Sequence, residues 1–272
     1  MKNLKIAFIG GGNMATSLIS GLLADGYHAK QIWVSEPNVE KRAYLQAALG
    51  IHVVSQNAEC LEADVLVFAV KPQVAQQVIS EIAAPFQANR PLVISIMTGI
   101  KITHFEEYLG KTAIVRTMPN TPALVRAGAT GLFANEQVSP EQKNCAESIL
   151  RAVGITVWLE KESDLDLVTA LSGSGPAYFL YVMEALQQAA IGMGMTTETA
   201  RLLTLQTALG TARLAMESND LDVTELRQRV TSPQGTTERA VNVLKEANIL
   251  GIFESAVQAA FKRAEELGEN PF

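Results

Sequence analysis

Cysteine is nearly missing from this chain: Cys60 and Cys145, far apart, are the only two in 272 residues. That excludes a disulfide framework and a cysteine-based zinc finger, and it suits a reducing cytoplasm. Histidine is scarce as well. His28, His52 and His104 are the full set, and none falls in a loop with other reactive side chains. No Gly-x-Ser-x-Gly elbow, no His-Glu-x-x-His pair and no Walker loop occurs, which counts against hydrolases and metalloenzymes. No apolar run approaches the ~18 uncharged residues of a membrane span, so no membrane partner is expected. Met1–Ile9 carries Lys2 and Lys5 among apolar residues but runs straight into glycines without a cleavage site, so it reads as a first strand rather than a leader. Charge is sparse at 18%, and 22 basic against 28 acidic residues give a net charge of −6. With no cationic patch, nucleic acid is not an expected partner either.

What is present is a large apolar fraction, 48%, enough to exclude disorder. The first half alternates short apolar runs with helical patterns. Leu4–Ile9, Gln31–Glu36, Val65–Val70, Leu92–Met97, Ala113–Thr117, Thr130–Ala134 and Thr156–Leu159 read as strands, with a helix near Pro140–Val153. Strands separated by helical stretches predict a doubly wound parallel sheet, an α/β domain over residues 1–162. Past a polar break at 160–164, no convincing strand follows. Four helical patterns do: Asp164–Ile191, Thr197–Ser218, Thr236–Ala247 and Leu250–Leu267. They predict an all-α domain over 163–272. Between Ala177 and Met195 the only strongly polar side chains are Glu184, Gln187 and Gln188. A helix apolar almost all round wants cover on every side. A partner subunit is the natural cover, and packing on the first domain is the alternative.

Gly10-Gly11-Gly12-Asn13-Met14-Ala15 follows the first strand and opens a helix. Read as G-x-G-x-x-A, it offers Gly10 for the tight turn, Gly12 for close approach of backbone to a pyrophosphate, and Ala15 for close helix–sheet packing. The phosphates would meet free N–H groups at a positive helix end. Glu36 closes the second strand, twenty-one residues beyond Ala15, where a ribose-binding acid belongs. Its carboxylate favours NAD. Ser35, Asn38, Lys41 and Arg42 stand ready for the 2′-phosphate of NADP should Glu36 turn away. The residues leave that choice open.

Other loops fall where such sheets bind ligands. Ala69-Val70-Lys71-Pro72 and Ile96-Met97-Thr98-Gly99 both end strands. Lys71 is either a base or an exposed turn residue, and no catalysis is assigned to it. Met118-Pro119-Asn120-Thr121-Pro122 is a stiff turn, since each proline fixes φ and removes a donor. Ser172-Gly173-Ser174-Gly175-Pro176-Ala177-Tyr178 reads as a loop before the apolar helix, with Ser174 or Gly175 as its cap. Its two glycines suggest close approach to something. Val230–Ala240 sets hydroxyls and a glycine before a helix start. It is either a receptor for a carboxylate or phosphate or an over-provided cap.

Taken in this order, five segments resemble the pyrroline-5-carboxylate reductases: Phe8–Ala15, Ala69–Pro72, Met118–Pro122, Leu171–Tyr178 and Thr231–Thr237. The last two are far more specific than the glycine turn. The resemblance covers nearly the whole chain. It implies a Rossmann domain, a helical dimerisation domain, homodimers with intertwined helices and, in some members, decamers. The reaction implied is NAD(P)H-dependent reduction of L-1-pyrroline-5-carboxylate to L-proline. By resemblance, Ser232, Gly235 and Thr236 bind the substrate carboxylate. Thr237, the residue assigned to catalysis, meets the ring nitrogen, and a neighbouring subunit completes the site. The cofactor falls to Ile9, Gly10, Gly11, Gly12, Asn13 and Met14, to Ser35, Glu36 and Asn57, to Ala69, Val70, Lys71 and Pro72, and to Ile96, Met97, Thr98 and Asn120. Two positions depart from the family pattern. Glu36 stands where NADP-preferring members often have a small polar residue, and Gln234 where glycine is usual. A positive φ at Gln234 would cost roughly 1 kcal/mol or more. Two rivals remain from the residues themselves: a related reductase for a hydroxyacid or another imine, and a nucleotide sensor without turnover. The long apolar helix has no lysine between Ser172 and Arg201, which counts against the hydroxyacid class.

Overall fold

The computed structural model describes residues 4–218 and 220–269. Eight strands form one sheet: β1 (Ile6–Ile9), β2 (Ile32–Ser35), β3 (His52–Val54), β4 (Val65–Phe68), β5 (Leu92–Ser95), β6 (Ile114–Met118), β7 (Gly128–Ala134) and β8 (Gly154–Trp158). Their order is β3-β2-β1-β4-β5-β6-β7-β8. The order reverses between β1 and β4, the switch point outside which open α/β sheets bind ligands.

The central strands are apolar on both faces because both are covered. Ile6 and Phe8 join Leu18, Val34, Val67 and Leu150 on one side. Ala7 and Ile9 join Phe68, Ile79, Phe86 and Phe105 on the other. The covering helices include α1 (Asn13–Ala24), α2 (Val39–Leu49), α3 (Ala75–Phe86), α4 (Ile102–Leu109) and α5 (Pro140–Arg151).

Three sequence expectations need correction here. The sheet is not parallel throughout, because β6 and β7 run antiparallel, Met118 opposite Gly131. Residues 119–127 between them are too few for a crossover, which needs a dozen or more. The strands also stop earlier than their apolar runs. Glu36, Ala69 and Ile96 each leave the end of a strand expected to include them, since β2, β4 and β5 stop at Ser35, Phe68 and Ser95. The edge strand β3 escaped the sequence reading because it has three residues and an exposed His52.

By packing, the chain divides into two units. One runs through Ser174 and resumes at Ala259; the other is Gly175–Gln258. In the first unit α6 (Asp164–Val168) leads into a wide π turn, Thr169–Gly173. Ser174 N–H reaches back five residues to Thr169 O at 2.8 Å. The expected Ser172–Gly175 loop is therefore helical, with Ser174 at φ −83°, ψ −22°. The helical pattern expected over Asp164–Ile191 is split by this turn. A Cβ on Gly173 would stand 2.7 Å from Met118 Cε, whereas one on Gly175 would meet nothing within 4 Å, so the close approach expected of both glycines holds for Gly173 alone.

The second unit holds α7 (Gly175–Gly192), α8 (Thr197–Glu217), α9 (Val223–Arg229) and α10 (Thr236–Glu246); α11 (Ile249–Glu269) follows. Helix α9, seven residues long, was not expected. Its signal was present as a capping box: Asp222 Oδ1 accepts from Glu225 N–H at 2.8 Å and Glu225 Oε2 from Asp222 N–H at 3.2 Å. Helix α7 is not buried within this chain, for Phe179, Leu180 and Tyr181 are 69%, 62% and 73% exposed. Three successive side chains sample most of a helix circumference. Among the described residues no helix is long and apolar enough to cross a membrane.

Candidate active site

The glycine turn sits where its spacing places it. Gly10 has φ +99°, and a Cβ there would stand 2.9 Å from Ala69 O. Only glycine takes this backbone easily. Gly12 opens α1 in extended conformation, φ −71°, with no side-chain cap on the helix. A Cβ on it would meet nothing closer than Ala69 O at 3.9 Å, so space lies in front of the helix. Thr16 N–H is bonded to Gly12 O at 2.9 Å. The N–H groups of Asn13, Met14 and Ala15 precede the first helical bond and point out of the helix end. No acidic side chain stands in the first turn to oppose an anion. Open room, outward N–H groups and a positive helix end fit the pyrophosphate of a dinucleotide.

The strand ends meet at this point. Gly10 N–H donates to Ser35 O at 2.8 Å, Ala69 N–H to Ile9 O at 2.9 Å, and Ile96 N–H to Phe68 O at 3.1 Å. Ile9, Ser35, Phe68 and Ser95 are register partners across β2, β1, β4 and β5. The turns after them therefore lie side by side along one edge. Ala69, Val70 and Pro72 are half-buried and Lys71 is exposed. Met97 is buried, its N–H donating to Ser95 Oγ at 3.3 Å, and Thr98 Oγ1 lies 3.6 Å from Met118 Sδ.

Glu36 is almost wholly covered, 6% exposed. Its Oε2 accepts from Gly11 N–H at 3.2 Å and its Oε1 from Asn38 N–H at 3.0 Å. The carboxylate is thus held at the end of β2, against the glycine turn. Arg42 is turned onto backbone, Nη1 donating at 2.8 Å to Glu36 O and to Pro37 O. Asn38 Oδ1 caps α2 by accepting from Lys41 N–H at 2.9 Å. Ser35 Oγ donates to Asn57 Oδ1 at 2.7 Å, and Asn57 Nδ2 donates to Glu81 Oε2 at 3.3 Å. Three of the four groups offered for a 2′-phosphate, Ser35, Asn38 and Arg42, are bonded within the chain itself.

Asn120 is engaged at both ends of its amide. Nδ2 donates to Ser172 O at 3.0 Å and Oδ1 accepts from Ala129 N–H at 2.9 Å. It ties the proline turn to the π turn, whose geometry frees that carbonyl. Nearby lies a buried charge cluster that sequence reading missed. Arg116, 4% exposed in β6, is 3.1 Å from Glu162 Oε1 and 3.8 Å from Asp166 Oδ1. Glu162 also accepts from Ile102 N–H at 2.8 Å. Burial pushes the Asp166 carboxyl up, against the pull of Arg116. Only folding brings residues this far apart in sequence together.

In the helical unit, Ser232-Pro233-Gln234-Gly235 forms a reverse turn before α10, Gly235 N–H donating to Ser232 O at 3.1 Å. Ser232, Thr236 and Thr237 are exposed and Gly235 is half-buried. Gly235 caps α10 in extended conformation, φ −83°, ψ 173°. Gln234 has φ +58°, the case foreseen as strained. Glu238, not singled out from sequence, accepts the Gln234 N–H on Oε2 at 2.7 Å.

No thiolate chemistry is at hand. Burial pushes the Cys60 thiol up to about 12 and raises that of Cys145. Among the described residues no group of three or more histidine, cysteine, aspartate or glutamate side chains would hold a metal ion.

Known proteins sharing this arrangement are specific. The family model for pyrroline-5-carboxylate reductase dimerisation matches residues 162–267, and a model described as NADP oxidoreductase coenzyme F420-dependent matches residues 5–99. The pyrroline-5-carboxylate reductase of Pseudomonas aeruginosa is 48% identical over 99% of this chain and 98% of its own. That of Pasteurella multocida is 44% identical over 98% of both. The solved structure of a pyrroline-5-carboxylate reductase from Coxiella burnetii is 49% identical and superposes with a TM-score of 0.92 over 97% of this chain and 98% of that one. The Plasmodium falciparum pyrroline carboxylate reductase, solved with NADP bound, is 30% identical with a TM-score of 0.87 over 98% of this chain and 99% of that one. By end-to-end identity, by fold and by its dimerisation segment, the chain belongs to the pyrroline-5-carboxylate reductase family.

Proposed function

We propose that the protein reduces L-1-pyrroline-5-carboxylate to L-proline, the last step of proline biosynthesis, as an NAD(P)H-dependent oxidoreductase acting on a C=N bond. The observation that carries this is 48% identity over 99% of the chain with a reductase of that name, together with the glycine turn after β1 and the hydroxyls of Ser232, Thr236 and Thr237. A bound reduced nicotinamide supplies the hydride for the imine carbon.

The chain's own residues have the remaining work. Gly12, Asn13 and Met14 hold the pyrophosphate on backbone N–H groups, and Gly10 and Gly11, whose own N–H groups are taken by Ser35 O and Glu36 Oε2, shape the turn that meets it. Ser35, Glu36 and Asn57 receive the adenosine ribose end. Ile9, Ala69, Val70, Lys71, Pro72, Ile96, Met97 and Thr98 line the nicotinamide end, and Asn120 holds the proline turn in place behind them. Ser232, Gly235 and Thr236 take the substrate carboxylate, and the Thr237 hydroxyl orients the ring nitrogen. A protonated cyclic imine is already electrophilic, so positioning does most of the work, a contribution of roughly 7–11 kcal/mol in well-oriented systems. A neutral hydroxyl suits a cationic imine because it adds no repulsive charge.

The division at 162/163 into cofactor and helical domains is part of this proposal, as is a homodimer in which the neighbouring subunit completes the site; sedimentation distinguishes the dimer from a decamer built of such dimers. Self-association itself follows from the dimerisation segment. A cytoplasmic setting fits the two free, buried cysteines. The test is oxidation of NADH and of NADPH by purified protein with pyrroline-5-carboxylate. Rapid turnover with proline as product is expected. No turnover with either cofactor from folded protein overturns the assignment and favours another imine substrate or the sensor reading.

A further inference from the structure

The turn before α10 carries a residue ill-suited to it. A proline followed by a residue of positive φ, with Gly235 N–H closing onto Ser232 O, is the arrangement in which glycine is normal at the third position. Here Gln234 occupies it at φ +58°, a region in which a side chain crowds its own backbone. Such a conformation persists only where its surroundings over-determine it. One contact does so directly: Glu238, in the first turn of α10, takes the Gln234 N–H on Oε2 at 2.7 Å. A charged acceptor makes this one of the stronger bonds available to a backbone N–H. Gly235, the capping residue, has no side chain to do the same.

We infer that Glu238 is a positioning residue for substrate. Its carboxylate fixes the left-handed Gln234, and so sets where Ser232, Gly235, Thr236 and Thr237 stand. The inference rests on the reading that this loop receives pyrroline-5-carboxylate.

The test is steady-state kinetics on the full-length enzyme. Glu238→Ala is expected to raise KM for pyrroline-5-carboxylate about tenfold, the scale of one charge-assisted bond. KM for the nicotinamide cofactor should stay within about twofold, because Glu238 is not among the residues given to the cofactor. Glu238→Gln keeps an oxygen at the same place and should remain close to the parent enzyme. Gln234→Gly makes the turn easy without the carboxylate, so added to Glu238→Ala it should restore most of the lost KM. An unchanged KM in Glu238→Ala overturns the inference, as does equal loss for substrate and cofactor or failure of Gln234→Gly to rescue. If Glu238→Ala unfolds, Glu238→Asp, one methylene too short to reach the Gln234 N–H, decides: a raised substrate KM with unchanged cofactor KM is expected, and a parental substrate KM overturns the inference. Thr237→Ala separates the two levels. Harm from Thr237→Ala without harm from Glu238→Ala sinks only the positioning role, whereas two silent variants sink the loop reading and the inference with it.

Discussion

The Glu36 carboxylate accepts from the Gly11 and Asn38 N–H groups and is nearly closed to solvent. A fixed anion at the end of β2 accepts readily from a ribose hydroxyl and repels a 2′-phosphate. Arg42, the nearest guanidinium along the chain, is spent on the Glu36 and Pro37 carbonyls. Glu36→Gln should therefore raise the NADPH-to-NADH ratio of kcat/KM by about tenfold, roughly 1.4 kcal/mol. Parallel kinetics with the two cofactors check this, and an unmoved ratio removes Glu36 from cofactor choice. Thr237→Ala should lower kcat/KM by ten- to a hundredfold, about 1.4–3 kcal/mol for a lost hydrogen bond at the reacting centre, with an unchanged melting temperature. An unchanged kcat/KM ends the role given to its hydroxyl. Glu36 was singled out by its spacing from the glycine turn, a local pattern, and Thr237 only by resemblance to the family. Glu238 was not, since nothing in a helical pattern says which backbone N–H a glutamate will find.

At the scale of elements, α4 opens with a titratable cap. Lys101 N–H donates to His104 Nδ1 at 3.0 Å, which requires that nitrogen to be unprotonated. Burial, the largest influence, lowers the His104 pKa. The unfolded chain then takes up the proton first. Stability from this group is complete above the ordinary histidine value near 6.5 and is lost as pH falls below it towards the folded value. His104→Gln keeps an acceptor and removes the titration. Melting temperature against pH from about 7.5 to 5 should fall less steeply in the variant; parallel curves refute the assignment. The elements themselves were readable from periodicity where they are long and patterned. The antiparallel direction of β7, the short α9 and the π turn at Thr169–Gly173 were not. Each follows from loop length, capping or packing against Met118 rather than from a repeating apolar pattern.

For the whole molecule, the exposed apolar face of α7 is the dominant feature. Leu180→Glu places a charge where 62% of the leucine is exposed in the single chain. It should leave helix content intact and shift sedimentation towards the monomer. It should also lower activity if a neighbouring subunit completes the site. Unchanged sedimentation would show that the self-association surface lies elsewhere. The sequence reading of an apolar helix needing cover agrees with the dimerisation segment at 162–267; the same reading had no way to say which helices would supply that cover.

The amino-acid order alone settled the class of fold, the glycine turn, the hydroxyl loop and the family, because each is a short-range statement. A strand has its period, a tight turn demands glycine, and a helix start wants a cap. Folding decided what depends on distant partners. It buried Glu36 against Gly11 and placed Arg116 beside Glu162 and Asp166. It tied Asn120 to Ser172, and it drew Gln234 into a left-handed turn held by Glu238. Such pairings reflect desolvation and hydrogen-bond satisfaction summed over residues far apart in the chain, and no local pattern encodes that sum.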